Sequence, residues 1–598
     1  MLDRLEPADV LHRVFGYPQF RGLQQAAIEH VVAGGDALVL MPTGGGKSLC
    51  YQVPALCRPG AAIVVSPLIA LMDDQVAALR QLGVAAAALH SEIDPDLARE
   101  AARELEAGRL DLLYMSPERL LTAGTLERLG RRQISLIAID EAHCVSAWGH
   151  EFRPEYRGLA RLAEAFPGVP RIALTATADP RTRADILHAL EMDGARVFAA
   201  SFHRLNLHIA AQAKEGETRE LLDFLRGRAG QAGIVYCGSR AKTERTAQRL
   251  AEKGMPAVAF HAGLSAMEKR VALNRFRSGE PVIVVATIAF GMGVDRPDVR
   301  FVVHLDMPDS PEAYYQQIGR AGRDGERADT LLLYGGEDIA RARYFLTQSA
   351  APEVQRRVMR ERLEAMITLA ETTSCRTRTL LACFGEDLGA DCGHCDNCVS
   401  PVGVFDGTVA AQKVLSAIYR TGQMFGAVHI VSVLRGEKTP MVMKHGHDRL
   451  PTYGVGRDRS PGFWRGVIRQ LIARGALETG SGEFASLSLV PERARPILRS
   501  ETAVLLREDA TRPKLRRDRD PTPAVVIEGG PLFEALRQWR AAEARRQSVP
   551  PYVIFHDSVL REIAAARPGS MAELGAMRGV GSSKLERYGA AVLSIVAG

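Results

Sequence analysis

Short apolar runs recur along the first part of the chain, and each is followed by a polar or glycine-containing turn and then an amphipathic stretch. This order is typical of buried parallel strands joined by helices. The runs that predict strands are 37–41, 61–66, 110–115, 136–140 and 171–175 in a first block, and 233–237, 257–260, 282–286, 301–305 and 328–334 in a second. The pattern therefore predicts an α/β fold with two doubly wound domains in tandem and a cleft between them.

The pattern changes after residue 352. A helix is predicted over 353–372, followed by a cysteine cluster and a small α/β module that ends near residue 499. Residues 507–523 mix charges of both signs with three prolines, which indicates a flexible linker, and the last block is helical. We therefore predict domains at 1–205, 206–345, 346–402, 403–506 and 529–598, with a linker at 507–528.

The composition of the 598 residues, 46% hydrophobic and 24% charged, is typical of a soluble globular protein. No apolar run approaches the roughly 20 residues that span a bilayer, and the first residues lack the apolar segment of a secretory signal. Nine cysteines, four of them at metal-ligand spacing, indicate a reducing compartment. We expect a cytoplasmic protein without a membrane partner.

The positive charge is concentrated in one module. Residues 406–499 contain 14 Lys and Arg against 7 Asp and Glu, a local net charge of +7, while the whole chain carries +6. The rest of the chain is therefore close to neutral. Such a module is suited to neutralising phosphates, although an ordinary basic helical domain would show the same balance.

A glycine-rich loop follows the first predicted strand and opens a helix. Its three consecutive glycines let backbone N–H groups turn towards a polyphosphate at the helix N-terminus. Lys47 would reach the β- and γ-phosphates, and the hydroxyl of Ser48 would bind Mg²⁺. Met41 stands where the strict P-loop pattern has glycine, so the prediction depends on the strand–loop–helix context; the alternative is a glycine-rich turn beside an incidental lysine. The residues assigned to ATP binding here are Thr43, Gly44, Gly45, Gly46, Lys47 and Ser48.

Asp140, Glu141 and His143 follow another predicted buried strand. Asp140 is placed to hold Mg²⁺, Glu141 to polarise the attacking water, and His143 to report the γ-phosphate to neighbouring segments. An Asp-Glu pair alone is more often a solvated turn. After a buried strand and downstream of a phosphate loop, it predicts ATP hydrolysis.

The second block supplies two arginines. Gln316, which is assigned to ATP binding, opens the segment. Arg320 and Arg323 lie one helical turn apart, which predicts that they share one helix face. Arg323 is the preferred arginine finger, reaching across the cleft to the γ-phosphate, with Arg320 in support. A surface ion-pair face is the alternative.

These motifs resemble those of the superfamily 2 helicases, and the match to the RecQ family covers nearly the whole chain. Phe20, Arg21 and Gln24 resemble the family's motif 0, in which Gln24 would read the adenine. Further segments resemble other helicase motifs, at 66–75, 116–118, 174–178, 234–240 and 286–295. The resemblance implies two RecA-like domains, then a helical zinc-binding domain, a winged helix and a small all-α HRDC domain.

Residues 144–156 resemble the aromatic-rich loop that separates the RecQ family from other superfamily 2 members. Trp148, Phe152 and Arg153 could stack on unpaired bases while the loop stays tethered to Glu141. The alternative is a hydrophobic plug between domains. The Asp-Glu-Ala-His string by itself would also fit an RNA helicase, and this loop favours DNA.

Four cysteines predict a closed zinc site. Cys375 stands apart, and Cys392, Cys395 and Cys398 follow at Cys-x-x-Cys spacing, which suits tetrahedral ligation of Zn²⁺ by four sulfurs. The RecQ resemblance implies a long helical hairpin between the first and second of these cysteines. His394 is a competing ligand at poorer spacing, and disulfides conflict with a reducing compartment.

The basic module resembles the winged helix of the family. Its predicted contacts to the duplex backbone are His447, Arg449, Arg457 and Arg459. The wing is predicted over 478–489, with Phe484 at its tip as a hypothetical strand-separation pin; packing of Phe484 on its own domain is the alternative. In the HRDC-like block, the turn Gly579-Val580-Gly581 could present N–H groups to a phosphate, although docking to protein fits as well.

The resemblance implies a 3′-to-5′ DNA helicase that uses ATP and Mg²⁺ and unwinds duplex and branched DNA in recombination, replication-fork processing and repair. Its expected partners are single-stranded, duplex and forked DNA; single-strand DNA-binding protein is a candidate that the sequence does not decide. We expect a monomer in the cytoplasm, associated with the nucleoid. The rivals are an RNA helicase or translocase of the same superfamily, and a DNA-binding scaffold with a decayed ATPase; the intact Lys47, Asp140 and Arg323 disfavour the scaffold.

Overall fold

The computed structural model describes residues 6–146, 152–290, 296–479, 486–508, 530–547 and 549–598. The predictions for Trp148 and Phe484, the last part of the 286–295 motif and most of the predicted linker lie outside the described residues.

The first α/β domain is built on seven strands. They are β1 (Ala37–Leu40), β2 (Ala61–Val65), β3 (Ala86–Leu89), β4 (Leu112–Met115), β5 (Ile134–Ile139), β6 (Arg171–Thr175) and β7 (Arg196–Ala199). The sheet order is β3-β4-β2-β5-β6-β1-β7, and every neighbouring pair is parallel. The carboxyl ends of β1, β6 and β5 therefore lie side by side, which brings the loops that follow them together.

Helices pack on both faces of this sheet. They are α1 (Pro7–Arg13), α2 (Gln24–Val32), α3 (Leu49–Cys57), α4 (Ile69–Gln81), α5 (Pro95–Glu106), α6 (Pro117–Leu120), α7 (Ala123–Gly130), α8 (Pro154–Arg157), α9 (Leu162–Ala165) and α10 (Pro180–Ala189), with 3-10 turns at Ala142–Val145 and Gly158–Arg161. The five predicted strands of this block are confirmed to within two residues. The two strands at the sheet edges, β3 and β7, were not predicted.

The second α/β domain repeats the architecture with six parallel strands. They are β8 (Leu207–Ala213), β9 (Ala232–Tyr236), β10 (Ala257–Phe260), β11 (Ile283–Ala286), β12 (Val299–His304) and β13 (Ala328–Tyr334), in the order β10-β11-β9-β12-β13-β8. Its helices are α11 (Glu217–Leu225), α12 (Arg240–Glu252), α13 (Ala266–Arg277), α14 (Pro311–Ile318) and α15 (Gly336–Gln348). The prediction of two tandem doubly wound domains is confirmed.

The cysteine cluster lies on a helical module formed by α16 (Glu353–Glu371), α17 (Arg376–Ala382) and α18 (Asp396–Val399). The prediction of a long helical hairpin between Cys375 and Cys392 is wrong. The long helix α16 precedes Cys375, and the seven residues of α17 are the only helix between the two cysteines.

The basic module contains α19 (Thr408–Arg420), α20 (Ala427–Arg435), α21 (Pro440–Lys444), α22 (Pro461–Ala473) and α23 (Pro491–Leu498), with a 3-10 turn at His447–Arg449. Its strands are β14 (Val404–Asp406), β15 (Leu477–Thr479), β16 (Leu487–Leu489) and β17 (Leu505–Arg507); β14 pairs antiparallel with β17, and β15 with β16. The β15–β16 hairpin is the base of the predicted wing.

The C-terminal module is all-α. It contains α24 (Pro531–Gln547), α25 (Pro551–Ile554), α26 (Asp557–Ala566), α27 (Met571–Gly575) and α28 (Ser582–Ala597). Among the described residues, no helix is both long and apolar enough to cross a membrane.

One apolar core joins most of these modules. A continuous cluster of buried side chains runs from Leu38 in the first sheet to Leu506 in the basic module. Arg343 of α15 reinforces it by donating to the carbonyls of Ile472 and Ala473 at 2.6 and 3.0 Å. The C-terminal module instead encloses a separate core of its own.

The start of α28 docks on the first α/β domain. The Gly579 N–H donates to the carbonyl of Gly16 at 2.8 Å, and the Ser582 hydroxyl donates to the carbonyl of Arg13 at 3.1 Å. The predicted phosphate-facing role of this glycine turn is therefore not realised at Gly579, whose N–H is occupied. The structure instead shows this turn packed on the first α/β domain of the same chain.

A glutamine completes this contact. Gln81, at the end of α4, is 7% exposed, and its Nε2 donates to Gln547 Oε1 at 2.7 Å. Its Oε1 accepts from Arg587 at 2.8 Å and from the Tyr588 hydroxyl at 2.6 Å. A buried amide with both ends satisfied fixes the orientation of the docked module.

Candidate ATP site and its surroundings

The phosphate loop connects β1 to α3 and is shaped by two glycines in the left-handed region, Gly44 (φ 80°) and Gly46 (φ 79°). Gly45 closes the turn by donating to the carbonyl of Pro42 at 2.9 Å. Among the described residues, no hydrogen bond uses the backbone N–H groups of residues 46–48. These groups lie at the N-terminus of α3, where the helix dipole favours an anion.

Two buried side-chain atoms of the loop have no hydrogen-bond partner in the part of the chain that the structure describes. They are Lys47 Nζ and Thr43 Oγ1. A buried ammonium without an acceptor is costly, so the position indicates an anionic ligand. The donor set therefore fits the polyphosphate of ATP.

Gln24 is tied to the same loop. Its side-chain Nε2 donates to the carbonyls of Gly45 and Gly46 at 3.2 and 3.1 Å, and its Oε1 accepts from the Arg21 N–H at 2.8 Å. The residue is 2% exposed. Phe20 is half-buried beside this segment and Arg21 is exposed. The predicted adenine-reading amide thus also braces the phosphate loop.

The acidic pair stands at the end of β5, facing the loop. Burial and the neighbouring Glu141 carboxylate raise the pKa of Asp140 to about 6, and Lys47 opposes this rise. Glu141 adopts a left-handed backbone (φ 48°), and its N–H donates to Asp140 Oδ1 at 3.0 Å. A non-glycine residue in this conformation is strained, and such strain is concentrated at functional sites. A cation at Asp140 would remove the charge penalty, which fits the predicted Mg²⁺.

His143 connects this pair to the next strand. Its Nδ1 lies 2.9 Å from Thr175 Oγ1, at the end of β6, and 3.4 Å from Glu141 Oε2. Thr175 in turn donates to the carbonyl of Thr177 at 3.1 Å. The predicted role of His143 as a reporter thus has a physical route into the 174–178 motif.

The two arginines do not share a helix face, which corrects the prediction. The helix α14 ends at Ile318, and the chain turns through Gly322 (φ 59°) before Arg323. A Cβ atom added to Gly44 would lie 3.4 Å from the Cα of Arg323, so Arg323 sits directly on the phosphate loop. The preferred finger residue is therefore at the cleft.

Arg320 points into the second domain instead. It is 8% exposed and lies near Tyr236, whose hydroxyl donates to the carbonyl of Phe290 at 3.1 Å. Burial raises the pKa of Tyr236, and Arg320 opposes the rise. The supporting role given to Arg320 at the γ-phosphate stays a prediction. Gln316 is half-buried on α14, one turn before the arginines.

Sequence reasoning missed Arg204, which lies in the segment that connects the two α/β domains. Its guanidinium donates to the carbonyl of Thr43 at 2.7 Å and to the carbonyl of Gly322 at 2.7 Å. No local pattern marks this residue, because its partners are 161 and 118 positions away.

The described part of the aromatic loop is attached to the ATP site. Tyr156 is fully buried, and its hydroxyl donates to the carbonyl of Asp140 at 3.0 Å. Arg153 donates to the carbonyl of Pro67 at 3.3 Å, which reaches the 66–75 motif. Phe152 is 38% exposed and therefore accessible for stacking on a base.

The basic module presents three of the four predicted DNA contacts on its surface. Arg449, Arg457 and Arg459 are exposed. His447 is 8% exposed, and its Nδ1 lies 2.8 Å from His429 Nε2 beside the ring of Phe425. The predicted DNA contact of His447 is corrected to a packing role, because its ring is buried and its Nδ1 is engaged.

The four predicted zinc ligands come together. The sulfur atoms of Cys375, Cys392, Cys395 and Cys398 all lie within 4.8 Å of one another. The separations of 3.4 Å between Cys395 and Cys398 and 3.9 Å between Cys392 and Cys398 are near the roughly 3.8 Å edge expected for tetrahedral ZnS₄. The geometry fits a structural zinc ion.

The backbone prepares the sulfurs for a cation. Cys392 Sγ accepts N–H groups of His394 and Cys395 at 3.5 and 3.2 Å. Burial alone would raise the pKa of Cys392, but hydrogen bonds from Thr377 and these amides lower it to about 6. His394 is no ligand: its Nδ1 lies 2.8 Å from the Cys392 carbonyl, and its ring stacks on His203.

Comparison with known families gives five matches in succession. They are the DEAD/DEAH box helicase at 21–186, the helicase conserved C-terminal domain at 216–325, RecQ zinc-binding at 336–399, the RQC domain at 401–515 and the HRDC domain at 530–596.

Three curated relatives are similar over almost the whole chain, and each is named ATP-dependent DNA helicase RecQ. That of Pasteurella multocida (strain Pm70) is 41% identical over 98% of this chain and 93% of its own. That of Haemophilus influenzae is 40% identical over 100% of this chain and 96% of its own. That of Bacillus subtilis (strain 168) is 37% identical over 98% of this chain and 98% of its own.

Proposed function

The chain belongs to the RecQ family of ATP-dependent DNA helicases, and from this premise we propose that it moves 3′ to 5′ on one strand and displaces the other. The direction is supported by the family alone. The coupling of hydrolysis to strand separation is supported by the order of the modules, from two α/β domains through the zinc module to the winged helix.

One observation carries the proposed ATP chemistry: Lys47 and Arg323 lie on opposite sides of one cleft. Lys47 Nζ is buried without a partner among the described residues, and Arg323 packs on Gly44 of the same loop. A phosphoryl group held between them would meet two cations from two domains. Charge developing on the γ-phosphate would then be stabilised only when the cleft is closed.

The remaining residues of the site have separate proposed roles. Ser48 and Asp140 would hold Mg²⁺, and the ion would supply positive charge that neutralises the phosphates. Glu141 orients the attacking water, and its fixed backbone limits the positions that its carboxylate can take. His143 passes the state of the site to Thr175. The nucleotide base is assigned to Phe20, Arg21 and Gln24, and the phosphates to Thr43, Gly44, Gly45, Gly46, Lys47 and Gln316.

The DNA path is proposed from exposure and attachment. Phe152 and Arg153, together with Trp148, contact the single strand beside the ATP site. Arg449, Arg457 and Arg459 neutralise the backbone of the duplex. Phe484 remains the proposed pin at the fork. Because Arg469 of α22 joins the winged helix to Tyr334 of β13 at 3.2 Å, the duplex grip and the second α/β domain move together.

The wider assignments stay proposals. They comprise Zn²⁺ and Mg²⁺ as bound ions, a monomer in the nucleoid-associated cytoplasm, single-strand DNA-binding protein as a partner, and work in recombination, fork processing and repair. The domain division at 205, 345, 402, 506 and 528 is proposed alongside them. It is supported by the sheet boundaries and the separate C-terminal core.

The decisive experiment compares unwinding of labelled duplexes that carry a 3′ or a 5′ single-stranded tail. We expect ATP-dependent separation of the 3′-tailed duplex only, and no separation by Lys47→Ala. Separation of the 5′-tailed duplex alone would overturn the direction. Hydrolysis stimulated by single-stranded DNA without strand separation would overturn the coupling and leave a translocase.

A further inference from the structure

We propose that Arg204 is a positioning residue that holds the arginine turn of the second α/β domain against the phosphate loop of the first. The inference rests on the proposed role of Arg323, which this turn carries. Arg204 belongs to the segment that connects the two domains, just before β8, so it reaches both sides of the cleft.

The guanidinium of Arg204 donates to three backbone carbonyls in two segments. Nη1 donates to the carbonyl of Thr43 in the phosphate loop at 2.7 Å. Nη2 donates to the carbonyls of Ala321 and Gly322 at 3.1 and 2.7 Å. One planar group thus joins the backbone of the loop that binds phosphate to the backbone that immediately precedes Arg323.

A neighbouring amide strengthens the same turn. Asn206 Nδ2 donates to the carbonyls of Gly322 and Glu326, both at 2.8 Å, and Arg204 Nε donates to Asn206 Oδ1 at 3.3 Å. The carbonyl of Gly322 therefore accepts two donors from the connecting segment. Gly322 has a positive φ and no side chain, so these bonds, together with the Gly322 N–H donating to the carbonyl of Val299 at 2.9 Å, limit the path of the turn.

The connecting segment is itself fixed by the zinc module. The Phe202 N–H donates to the Glu386 carboxylate at 2.8 Å, and Ser201 contacts the same carboxylate. His203 stacks on His394, with ring centroids 5.6 Å apart. Arg204 is thus presented from a rigid support, which is what a residue that positions another group requires.

Electrostatics explains why an arginine is suited to this place. Burial lowers the pKa of Arg204 from its ordinary value, and nearby Arg323 adds to the lowering while Tyr315 and Asp324 oppose it. Backbone carbonyls on two sides accept from the buried guanidinium, so Arg204 needs no carboxylate of its own as a hydrogen-bond partner. A lysine, with one compact ammonium, cannot span both sides of the cleft in this way.

The test is steady-state ATP hydrolysis at saturating single-stranded DNA by the full chain and its Arg204→Ala and Arg204→Lys variants. We expect both to lower kcat by about 10- to 100-fold, since a misplacement near 1 Å costs about that much. KM for ATP should change less than about threefold, because Lys47 and the loop amides remain. A purely structural role would instead move the melting temperature and leave kcat per folded molecule unchanged.

Arg277→Ala is the matched control. Arg277 also crosses between the two domains, pairing with Asp74 at 3.0 Å, but it does not touch the phosphate loop. We expect its kcat to stay within about twofold of the parent chain. An equal loss in Arg277→Ala and Arg204→Ala would overturn the proposal, as it would show that any interdomain contact serves.

A double-variant cycle identifies the residue through which Arg204 acts. If Arg204 positions Arg323, then Arg204→Ala in an Arg323→Ala background should lower kcat by less than about threefold further. A full additional loss overturns the proposal, as does parental kcat in Arg204→Lys. If Arg204→Ala does not fold, Asn206→Ala tests the same turn, with an expected loss of about three- to tenfold.

The two proposals fail in different ways. If Arg323→Ala keeps its hydrolysis rate, the assignment of the finger is wrong. If Arg323→Ala loses hydrolysis while both Arg204 variants keep it, only the positioning role is wrong.

Discussion

Two glycine turns in this protein look alike in sequence and have opposite fates. Residues 44–48 and residues 579–584 each place glycines before a helix and a lysine shortly after them. In the first turn, Lys47 Nζ has no partner among the described residues. In the second, Lys584 is buried, and its Nζ donates to the carbonyl of Val553 at 3.2 Å.

The difference lies in what occupies the helix N-terminus. The end of α1 and the residues just after it supply carbonyl groups to the turn before α28 and to its first residue: Gly16 accepts the Gly579 N–H, and Arg13 accepts the Ser582 hydroxyl. The negative end of one helix thus meets the positive end of another, as a phosphate would. A glycine turn at a helix start becomes a phosphate site only where no protein acceptor takes its place.

The largest expected effect comes from removing the lysine of each turn separately and comparing the two rates of ATP hydrolysis. Lys47→Ala should lower DNA-stimulated ATP hydrolysis by at least about 1,000-fold, since it removes a charge that acts on the transferred phosphate. Lys584→Met is the matched control and should keep the rate within about twofold. A comparable loss in both, measured in one coupled assay, would show that the two turns are not distinct.

The pH dependence of the C-terminal module sharpens the contrast. Burial lowers the pKa of Lys584 to about 8, while an unfolded lysine titrates near 10.4. As pH falls from about 10.4 to 8, the unfolded chain gains a proton that the folded module does not take up. The module should therefore lose stability over this interval, up to about 3 kcal/mol.

The measurement is hydrogen exchange of the α28 amides between pH 8 and 10, corrected for intrinsic rates. Lys584→Met should remove the pH dependence. The same slope in the parent chain and in Lys584→Met would contradict the assignment to this group.

The docked turn can be released by adding a side chain. A Cβ atom at Gly581 would lie 2.4 Å from the carbonyl oxygen of Val14, so Gly581→Val should separate the two surfaces at a cost of about 1–3 kcal/mol. We expect faster hydrogen exchange around Gln81 and Tyr588 with an unchanged rate of ATP hydrolysis. Gly569→Val, in open surroundings of the same module, should change neither. Unchanged exchange in Gly581→Val would show that the contact is not held by this turn.

The smallest expected effect is that of nucleotide on amide exchange in the second glycine turn, which should hardly change. A non-hydrolysable ATP analogue with Mg²⁺ should slow amide exchange at residues 44–48 by tenfold or more, and at residues 579–583 by less than about twofold. Single-stranded DNA should leave residues 579–583 equally unaffected. Strong protection of both turns would show that the carbonyls of α1 do not block the second one.

Part of the site could be read from the sequence because its groups are local. The three glycines, Lys47 and Ser48 are contiguous, and the residues of the acidic pair are neighbours at a strand end. The cysteine ligands carry their own spacing. For such groups, a strand followed by a loop is sufficient to fix the relative positions.

The failures share one cause, which is tertiary context. Arg320 and Arg323 have helical spacing in the sequence, but the helix ends at Ile318 and the chain turns at Gly322, so the two side chains do not share a helix face. The strand β3 contains three alanines, which favour helices when taken alone, and only its place in the sheet decides. His447 stands in a basic stretch of the sequence that predicts contact with DNA, but in the structure it packs against His429 and Phe425.

Two of the missed features depend on distant partners. The connecting residue Arg204 bonds to segments more than 100 positions away on either side, and the start of α28 bonds to the first 16 residues of the chain. A single sequence contains no local periodicity for such contacts. They become visible only once the modules are placed in space.

The shared core has a consequence for how the protein is made. Its buried residues extend from Leu38 to Leu506, so the cluster is complete only after five-sixths of the chain has been synthesised. At roughly 10 residues per second, that takes on the order of a minute. During this interval the nascent chain carries apolar surface that the winged helix will later cover. The C-terminal module has its own core, so its buried residues do not have to wait for the shared cluster to be completed.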